Sequence, residues 1–144
     1  MLVRKMTESD VARVALIEKA NFSQPWSENA FLTAMDSSDN ILVVAEAEGN
    51  ILGYVCMYVS IDEGEITNVA VDESSRKKGV GVALLKHVFE EAKENDVSRI
   101  VLEVRVSNSP AIGLYKKLGF EELGIRKGFY DMPKEDASIM EYKI

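Results

Sequence analysis

Hydrophobic and polar positions alternate along the chain in two different periods. Segments 41–47 and 51–59 are rich in Val, Ile, Leu and Tyr and are separated by a Glu-Gly-Asn turn, which predicts a β-hairpin. A third run, 65–71, extends the hairpin into an antiparallel meander. From position 80 the apolar residues instead recur every three to four residues and stop near Asn95, which predicts a long helix.

Shorter elements complete the pattern. Thr7 and Asp10 are expected to open a helix that runs to about Ala20, and Ser27 is expected to cap a second helix with Trp26 packed against its first turn. The remaining predicted elements are strands at 1–6, 99–106, 120–125 and 137–144 and a helix at 109–118. This order predicts an α/β architecture with a mixed sheet, in one domain covering residues 1–144.

Composition and charge exclude several classes of protein. Hydrophobic residues make up 47% and charged residues 28% of the 144 positions, which is typical of a globular domain rather than a disordered or fibrous chain. Seventeen Lys and Arg against 24 Asp and Glu give a formal charge of -7, which disfavours a nucleic-acid binder with a basic surface. We therefore expect no direct binding of nucleic acid.

The cysteine count and the apolar runs bear on location. Cys56 is the only cysteine, so it forms no internal disulfide, and no Cys/His cluster is present to hold a metal. The first ten residues carry several charges, and no apolar run is long enough to cross a membrane. These features predict a cytoplasmic protein with no metal and no membrane partner.

A basic, glycine-containing loop precedes the long helix. Positions 76–81 read RKKGVG, three cations in an otherwise acidic chain. The glycines let the backbone approach a ligand closely, and the following helix presents unpaired N–H groups and its positive dipole end. The pattern favours a pyrophosphate site, but a solvated basic loop would have the same pattern. It matches neither GxxxxGKS nor GxGxxG, so nucleoside triphosphates and dinucleotides are poor candidates.

Two long stretches carry a family resemblance. NVAVDESSRKKGVGVALL and LEVRVSNSPAIGLYKKLGF resemble the GNAT superfamily of acetyl-CoA-dependent N-acetyltransferases, whose R/Q-x-x-G-x-G/A motif matches Arg76, Gly79 and Gly81. FSQPWSENAF, LEVRVSNSPAIGLY and GFYDMPKEDASIMEY are similar to the bacterial ribosomal-protein alanine N-acetyltransferases, which acetylate the α-amine of a small-subunit ribosomal protein. The resemblance covers nearly the whole chain.

The resemblance implies a fold and a cofactor site. The expected fold is a mixed, mostly antiparallel central sheet with helices on both faces and a splay between two central strands that holds acetyl-CoA. The implied cofactor-binding residues are Val69, Ala70 and Val71 for the pantetheine arm, Arg76, Lys77, Lys78, Gly79, Val80, Gly81 and Val82 for the pyrophosphate, and Asn108 further along. Lys77 and Lys78 depart from the pairings usual in this loop, but backbone donors at Gly79 and Gly81 make that substitution tolerable.

Two side chains are candidates for proton transfer. Strand alternation places Glu103 opposite Leu102 and Val104, on a face shared with Arg105, where it is either a solvated carboxylate or a base. Tyr115 has the helical spacing of a core aromatic residue. The resemblance implies that Glu103 is the general base and that Tyr115 protonates the departing CoA thiolate.

Four other residues are weaker candidates for the site. Trp26 and Tyr130 either pack under loops or, as the resemblance implies, flank the peptide substrate. His87 lies to the side of the inward stripe of its helix, so we expect it to be exposed. Cys56 belongs to an apolar strand, which predicts a core thiol rather than a nucleophile.

Together, the residue patterns and the resemblance predict direct transfer of the acetyl group of acetyl-CoA to the N-terminal α-amine of a ribosomal protein whose first residue is alanine. The acidic chain suits a basic partner. Three alternatives stay open: an acetyltransferase for small amines, a non-catalytic acyl-CoA binding module, and an interaction domain active only in a complex. The sequence predicts no oligomeric state.

Overall fold

Seven strands form one open sheet in the computed structural model, which describes all 144 residues. The strands are β1 Leu2–Lys5, β2 Asn40–Ala47, β3 Asn50–Ser60, β4 Glu63–Val71, β5 Arg99–Arg105, β6 Glu121–Tyr130 and β7 Glu135–Lys143. Their spatial order is β1-β2-β3-β4-β5-β7-β6, and every neighbouring pair is antiparallel except β4 and β5. The predicted mixed, mostly antiparallel sheet is confirmed.

Four α-helices cover both faces of this sheet. They are α1 Val11–Asn21, α2 Glu28–Met35, α3 Val80–Glu94 and α4 Ser109–Leu118, with short 3-10 turns at Glu8–Asp10 and Glu73–Ser75. One buried cluster, called the α3 cluster, contains Leu84 and Leu85 of α3 and Tyr115 of α4. A second cluster on the opposite face, called the α1 cluster, contains Ile17 of α1 and Phe31 of α2. The expectation of helices on both faces is confirmed.

The two central strands diverge. β4 and β5 pair only at Glu63↔Arg99, Gly64↔Ile100 and Glu65↔Val101. Beyond these three pairs, residues 66–71 of β4 and 102–105 of β5 share no ladder hydrogen bonds. A bulge opposite Cys56 and Met57 changes the facing of β4 within this segment. The predicted splay between two central strands is therefore present.

Local capping fixes the helix starts as the sequence indicates. The Thr7 amide donates to Asp10 at 2.8 Å at the turn that opens α1. Ser27 accepts a hydrogen bond from the Ala30 amide at 3.1 Å, which caps α2. The rings of Trp26 and Phe31 lie 5.2 Å apart across that cap, the arrangement of a hydrophobic staple.

The last hairpin differs from the prediction. The sequence predicts strands at 120–125 and 137–144, whereas β6 continues to Tyr130 and β7 begins at Glu135. β6 is an edge strand with almost every residue exposed, so it lacks the alternation that marks a half-buried strand. The added length brings Tyr130 alongside the site described below. No helix combines the length and apolar character needed to cross a membrane.

Candidate functional site

The RKKGVG loop forms a cradle of backbone N–H groups before α3. Lys77 and Gly79 have positive φ angles of 61° and 81°, left-handed conformations that turn successive amides toward one side. Gly79 is the N-cap of α3, and no side chain caps the amides of the first turn. A Cβ at Gly79 would have open space around it. Unpaired amides, a helix dipole and open space fit a pyrophosphate.

The side chains of this loop divide into two groups. Lys77 and Lys78 are exposed, whereas Val80 is buried in the α3 cluster and offers only its backbone. The Arg76 guanidinium donates to Asn21 Oδ1 at the end of α1 and to the Val71 carbonyl at 3.4 Å. Arg76 thus ties the loop to β4 and α1 rather than projecting freely. Val82 is half-buried on the first turn of α3.

The unpaired edge of β4 borders the splay. Val69 and Val71 pack against the α3 cluster and Ala70 against the α1 cluster, so their side chains are used in the core. Their backbone on the splay side has no strand partner, which suits hydrogen bonding to an extended ligand with amide groups. At the other side, Asn108 caps α4 by accepting from the Ala111 amide at 3.3 Å. Its amide nitrogen remains available as a donor.

Glu103 lies on β5 just past the last pair with β4. Its side chain is 21% exposed, on the face opposite the buried Leu102 and Val104, as alternation predicts. Burial and the nearby carboxylate of Glu65 raise the pKa of Glu103, and Arg126, 3.6 Å away, partly offsets them. A carboxylate with a raised pKa beside an opening can accept a proton.

Tyr130 lies near this carboxylate, and Tyr115 lies near Tyr130. Tyr115 packs against Phe120 with ring centroids 5.5 Å apart, and burial, followed by nearby Tyr130, raises the pKa of Tyr115. The Tyr115 hydroxyl makes no hydrogen bond in the protein. The one enclosed side-chain polar atom without a partner is Asn68 Oδ1, so the Tyr115 hydroxyl is not enclosed and reaches solvent. Burial, and next the charge of Glu103, raises the pKa of Tyr130 to about 12.

Tyr130 is held by neighbours on β5 and β6. The Arg105 guanidinium lies 4.5 Å from the centre of its ring, and Phe129 packs edge-on against it. Arg105 also bonds the carbonyls of Asp131 and Pro133, so it fixes the β6–β7 turn. The structure therefore places Tyr130 close to both Glu103 and Tyr115, while Trp26 stands on the loop between α1 and α2.

Two further residues lie outside this group. Cys56 is buried in the α1 cluster, as predicted, and burial raises the pKa of its thiol. His87 was expected to be exposed, but its side chain is only 33% exposed and bonds Glu91 at 3.0 Å. Its partner Glu91 lies one turn further along α3.

A buried polar cluster escaped the sequence reasoning. Glu18 of α1, Tyr54 of β3 and Asn68 of β4 are all buried, and the Tyr54 hydroxyl and the Asn68 side-chain amide both donate to the Glu18 carboxylate. A signal was present, because Glu18 continues the inward stripe of Val11 and Val14 at helical spacing. Asn68 likewise interrupts an apolar strand.

Comparison with known proteins agrees with this geometry. Residues 11–120 match the model of the acetyltransferase (GNAT) family. A Bacillus subtilis (strain 168) protein provisionally named a ribosomal protein bS18-alanine N-acetyltransferase is 39% identical over 96% of this chain and 92% of its own length. The Escherichia coli (strain K12) protein of that name is 34% identical over 96% and 94%.

The fold agrees as well. The crystal structure of the ribosomal-protein-S18-alanine N-acetyltransferase from Escherichia coli superposes with a TM-score of 0.91 at 32% identity, covering 99% of this chain and 93% of that one. The family match extends from α1 through α4 and includes both the loop and the splay. The chain therefore belongs to the GNAT acetyltransferase family and is an acetyl-transferring enzyme.

Proposed function

We propose that this enzyme transfers the acetyl group of acetyl-CoA to the N-terminal α-amine of a ribosomal protein whose first residue is alanine, in the cytoplasm. One observation carries the proposal: the Glu103 carboxylate stands beside the splay of β4 and β5, and the loop that follows β4 is suited to pyrophosphate. The relatives named for ribosomal protein bS18 direct the choice of substrate.

Acetyl-CoA fits the residues on both sides of the splay. Its pyrophosphate would lie on the backbone of Lys77 to Val82, and its pantetheine amides along Val69 to Val71, with Asn108 as a donor. Bound there, it supplies a thioester carbonyl to the attacking amine. No step in this scheme requires a metal.

Glu103 would accept the proton of the substrate amine, directly or through one water. Its carboxylate is partly desolvated and lies near a second carboxylate, so it is a better base than a solvated glutamate. The protonated Glu103 then carries less charge beside Glu65, which favours proton uptake.

Tyr115 would donate its hydroxyl proton to the leaving thiolate. Burial keeps this hydroxyl protonated at neutral pH, and no protein group competes for its proton. The hydroxyl is carried on α4, whose start is fixed by the Asn108 cap. A rigid helix of this kind can hold the donor in one position.

The α-amine is favoured over lysine by its ordinary pKa. An α-amine with pKa about 7.7 to 8.0 is neutral roughly a tenth of the time near pH 7, so deprotonation costs on the order of 1 kcal/mol. A lysine with pKa about 10.4 costs more than about 4 kcal/mol. One moderate base such as Glu103 therefore suffices for an N-terminal substrate.

Trp26 and Tyr130 would contact the first residues of the peptide. Trp26 lies on the α1–α2 loop and packs against the α1 cluster, and Tyr130 lies at the end of β6 near Glu103. The net charge of -7 assists encounter with a basic ribosomal protein.

Mass spectrometry tests the proposal directly. Peptides that differ only in the first residue are incubated with acetyl-CoA, and the acetyl group is located on the α-amine or on an internal lysine. We expect the alanine peptide to react and its N-terminally blocked counterpart to stay unmodified. Lysine acetylation at a comparable rate, or acetylation of small amines in preference to peptides, would contradict the assignment.

A further inference from the structure

A buried carboxylate at the end of α1 holds the loop that carries Trp26. Glu18 is 2% exposed, and no cation pairs with it. Glu18 Oε2 accepts from the Trp26 backbone amide at 3.0 Å and from Asn68 Nδ2 at 3.1 Å, and Glu18 Oε1 accepts from the Tyr54 hydroxyl at 2.5 Å. Three donors thus satisfy a charge that would otherwise be costly to bury.

These bonds join two parts of the candidate site. One ends at the amide of Trp26, on the loop proposed to contact the peptide, and another at Asn68, which lies in the unpaired part of β4 directly before Val69. A carboxylate only accepts hydrogen bonds, so Asn68 must turn its amide nitrogen toward Glu18. Its Oδ1 is left buried without a donor. The bond to Glu18 therefore fixes Asn68 even though the amide oxygen gains no partner.

We propose that Glu18 is a positioning residue that sets the α1–α2 loop for peptide binding. This inference rests on the proposed function and adds to it the residue that holds the peptide-contacting loop. The Trp26 amide would lack an acceptor without Glu18, and the loop would leave the position set by the staple between Trp26 and Phe31. The cofactor loop at 76–82 takes no part in this cluster.

Substitutions at Glu18 separate a positioning role from simple packing. Glu18→Met fills a similar volume but accepts nothing from Trp26 or Asn68. Glu18→Asp keeps the charge but withdraws it by one methylene. Glu18→Gln can turn its one oxygen toward Trp26 and Asn68 while the Tyr54 hydroxyl reverses to accept from its nitrogen, so it is the conservative variant. Tyr54→Phe is the matched control, because it removes the third bond and spares the other two.

The experiment combines kinetics with fluorescence on the full chain. Trp26 is the only tryptophan, so its emission reports the loop directly. Losing the hydrogen bond predicts that Glu18→Met and Glu18→Asp raise the peptide KM by about 3- to 10-fold or more and alter Trp26 emission. The KM for acetyl-CoA stays near the parental value. Glu18→Gln and Tyr54→Phe keep a near-parental peptide KM, although Tyr54→Phe lowers Tm.

Defined results would overturn the inference. The first is an unchanged peptide KM in both Glu18→Met and Glu18→Asp. The second is an equal rise in the KM for the peptide and the KM for acetyl-CoA. The third is a rise in the peptide KM of Tyr54→Phe that accompanies its loss of Tm. If Glu18→Met does not fold, Glu18→Asp decides. A parent that acetylates no peptide would contradict the proposed function instead, and identical Trp26 emission in parent and Glu18→Asp would then refute the positioning role.

Discussion

Two neighbouring charged side chains influence the pKa of Glu103, and each can be removed singly. Burial and Glu65 raise its pKa, whereas Arg126 lowers it. We expect Glu65→Gln to lower the pKa of Glu103, because a like charge is lost, and Arg126→Gln to raise it further, because the 3.6 Å ion pair is lost. Titration of the Glu103 carboxyl carbon by NMR in the free protein measures both shifts. Movement of both variants in the same direction would contradict this electrostatic account.

The proposed acid and base are distinguished by their dependence on pH. A positioned acid or base typically contributes about 100- to 10,000-fold, so Glu103→Gln and Tyr115→Phe are each expected to lower kcat by at least the smaller factor. Glu103→Gln recovers partly as pH rises through the pKa of the substrate amine, because the amine then arrives neutral. Tyr115→Phe does not recover in this way, because a neutral amine does not replace the proton that Tyr115 donates to the leaving thiolate.

Steady-state kinetics from pH 6 to 9, with acetyl-CoA binding measured separately, provides the test. Both variants are expected to bind acetyl-CoA as the parent does. Near-parental turnover by both across this range would mean that Glu103 is a strand-face carboxylate and Tyr115 a core aromatic residue, and the proposed catalytic roles of both residues would be wrong.

At the scale of elements, a single carboxylate ties β1 to the start of α1. Asp10 is buried and accepts from the Thr7 amide and from the Arg4 guanidinium at 2.8 Å, and the hydrogen bonds from Arg4 are the main cause of its lowered pKa. A lowered pKa in the folded state stabilises the fold above the pKa of the unfolded chain, and this contribution is lost as pH falls through the folded value.

Asp10→Asn is therefore expected to cost about 1 to 3 kcal/mol of unfolding free energy at neutral pH. The difference from the parent narrows in acid, once Asp10 of the parent is itself protonated. Urea unfolding at pH 7 and at successively lower pH measures the gap. Asp36→Asn is the control, because the Asp36 carboxylate is exposed and bonds no other side chain. A gap that stays constant with pH would rule out the ionic explanation.

The sequence predicts elements well where one face is buried. The meander of β2 to β4 and the helix α3 carry clear periods because each packs one side on a core, and Ser27 marks the start of α2 through its own hydrogen bond. The edge strand β6 carries no such period, so its last five residues could not be assigned. Lys and Arg at 126–127 are acceptable at a sheet edge and equally common in loops.

The candidate site is predictable only in part for a similar reason. The residues of the cofactor loop are contiguous in sequence, so one local pattern predicts both its glycines and the helix that follows. The contacts of Glu18 with Trp26 and Asn68 join three elements across the sheet, and no local pattern encodes such a meeting. Tyr130 reaches Glu103 only because β6 is longer than its pattern indicates.

At the scale of the whole molecule, the two faces of the sheet have different uses. The α1 cluster contains no residue from β5, β6 or β7. The part of this face that β5 forms, which carries Glu103, is therefore not covered by the α1 cluster. The cofactor loop belongs to α3 on the other face, where Gly81 approaches α4: a Cβ there would lie 3.1 Å from Leu114 Cδ2. The peptide and the cofactor thus approach the splay from different sides in the proposed reaction.

Ligand-induced stabilisation of the whole fold tests this arrangement at the cofactor side. Acetyl-CoA at 100 times its Kd is expected to stabilise the protein by about 2.7 kcal/mol, which for a domain of this size raises Tm by about 5 to 10 °C. Gly81→Val is expected to abolish most of that rise, because its side chain fills the approach to the first turn of α3 and presses on Leu114.

Each variant is compared with its own Tm without ligand, since the contact with Leu114 also weakens the free protein. Gly113→Val is the matched control: it is also a helical glycine, but apart from its chain neighbours and its own helix backbone no atom lies within 4 Å of its Cβ position, so its response to acetyl-CoA stays parental. Equal rises in Gly81→Val and the parent would place the pyrophosphate away from the start of α3.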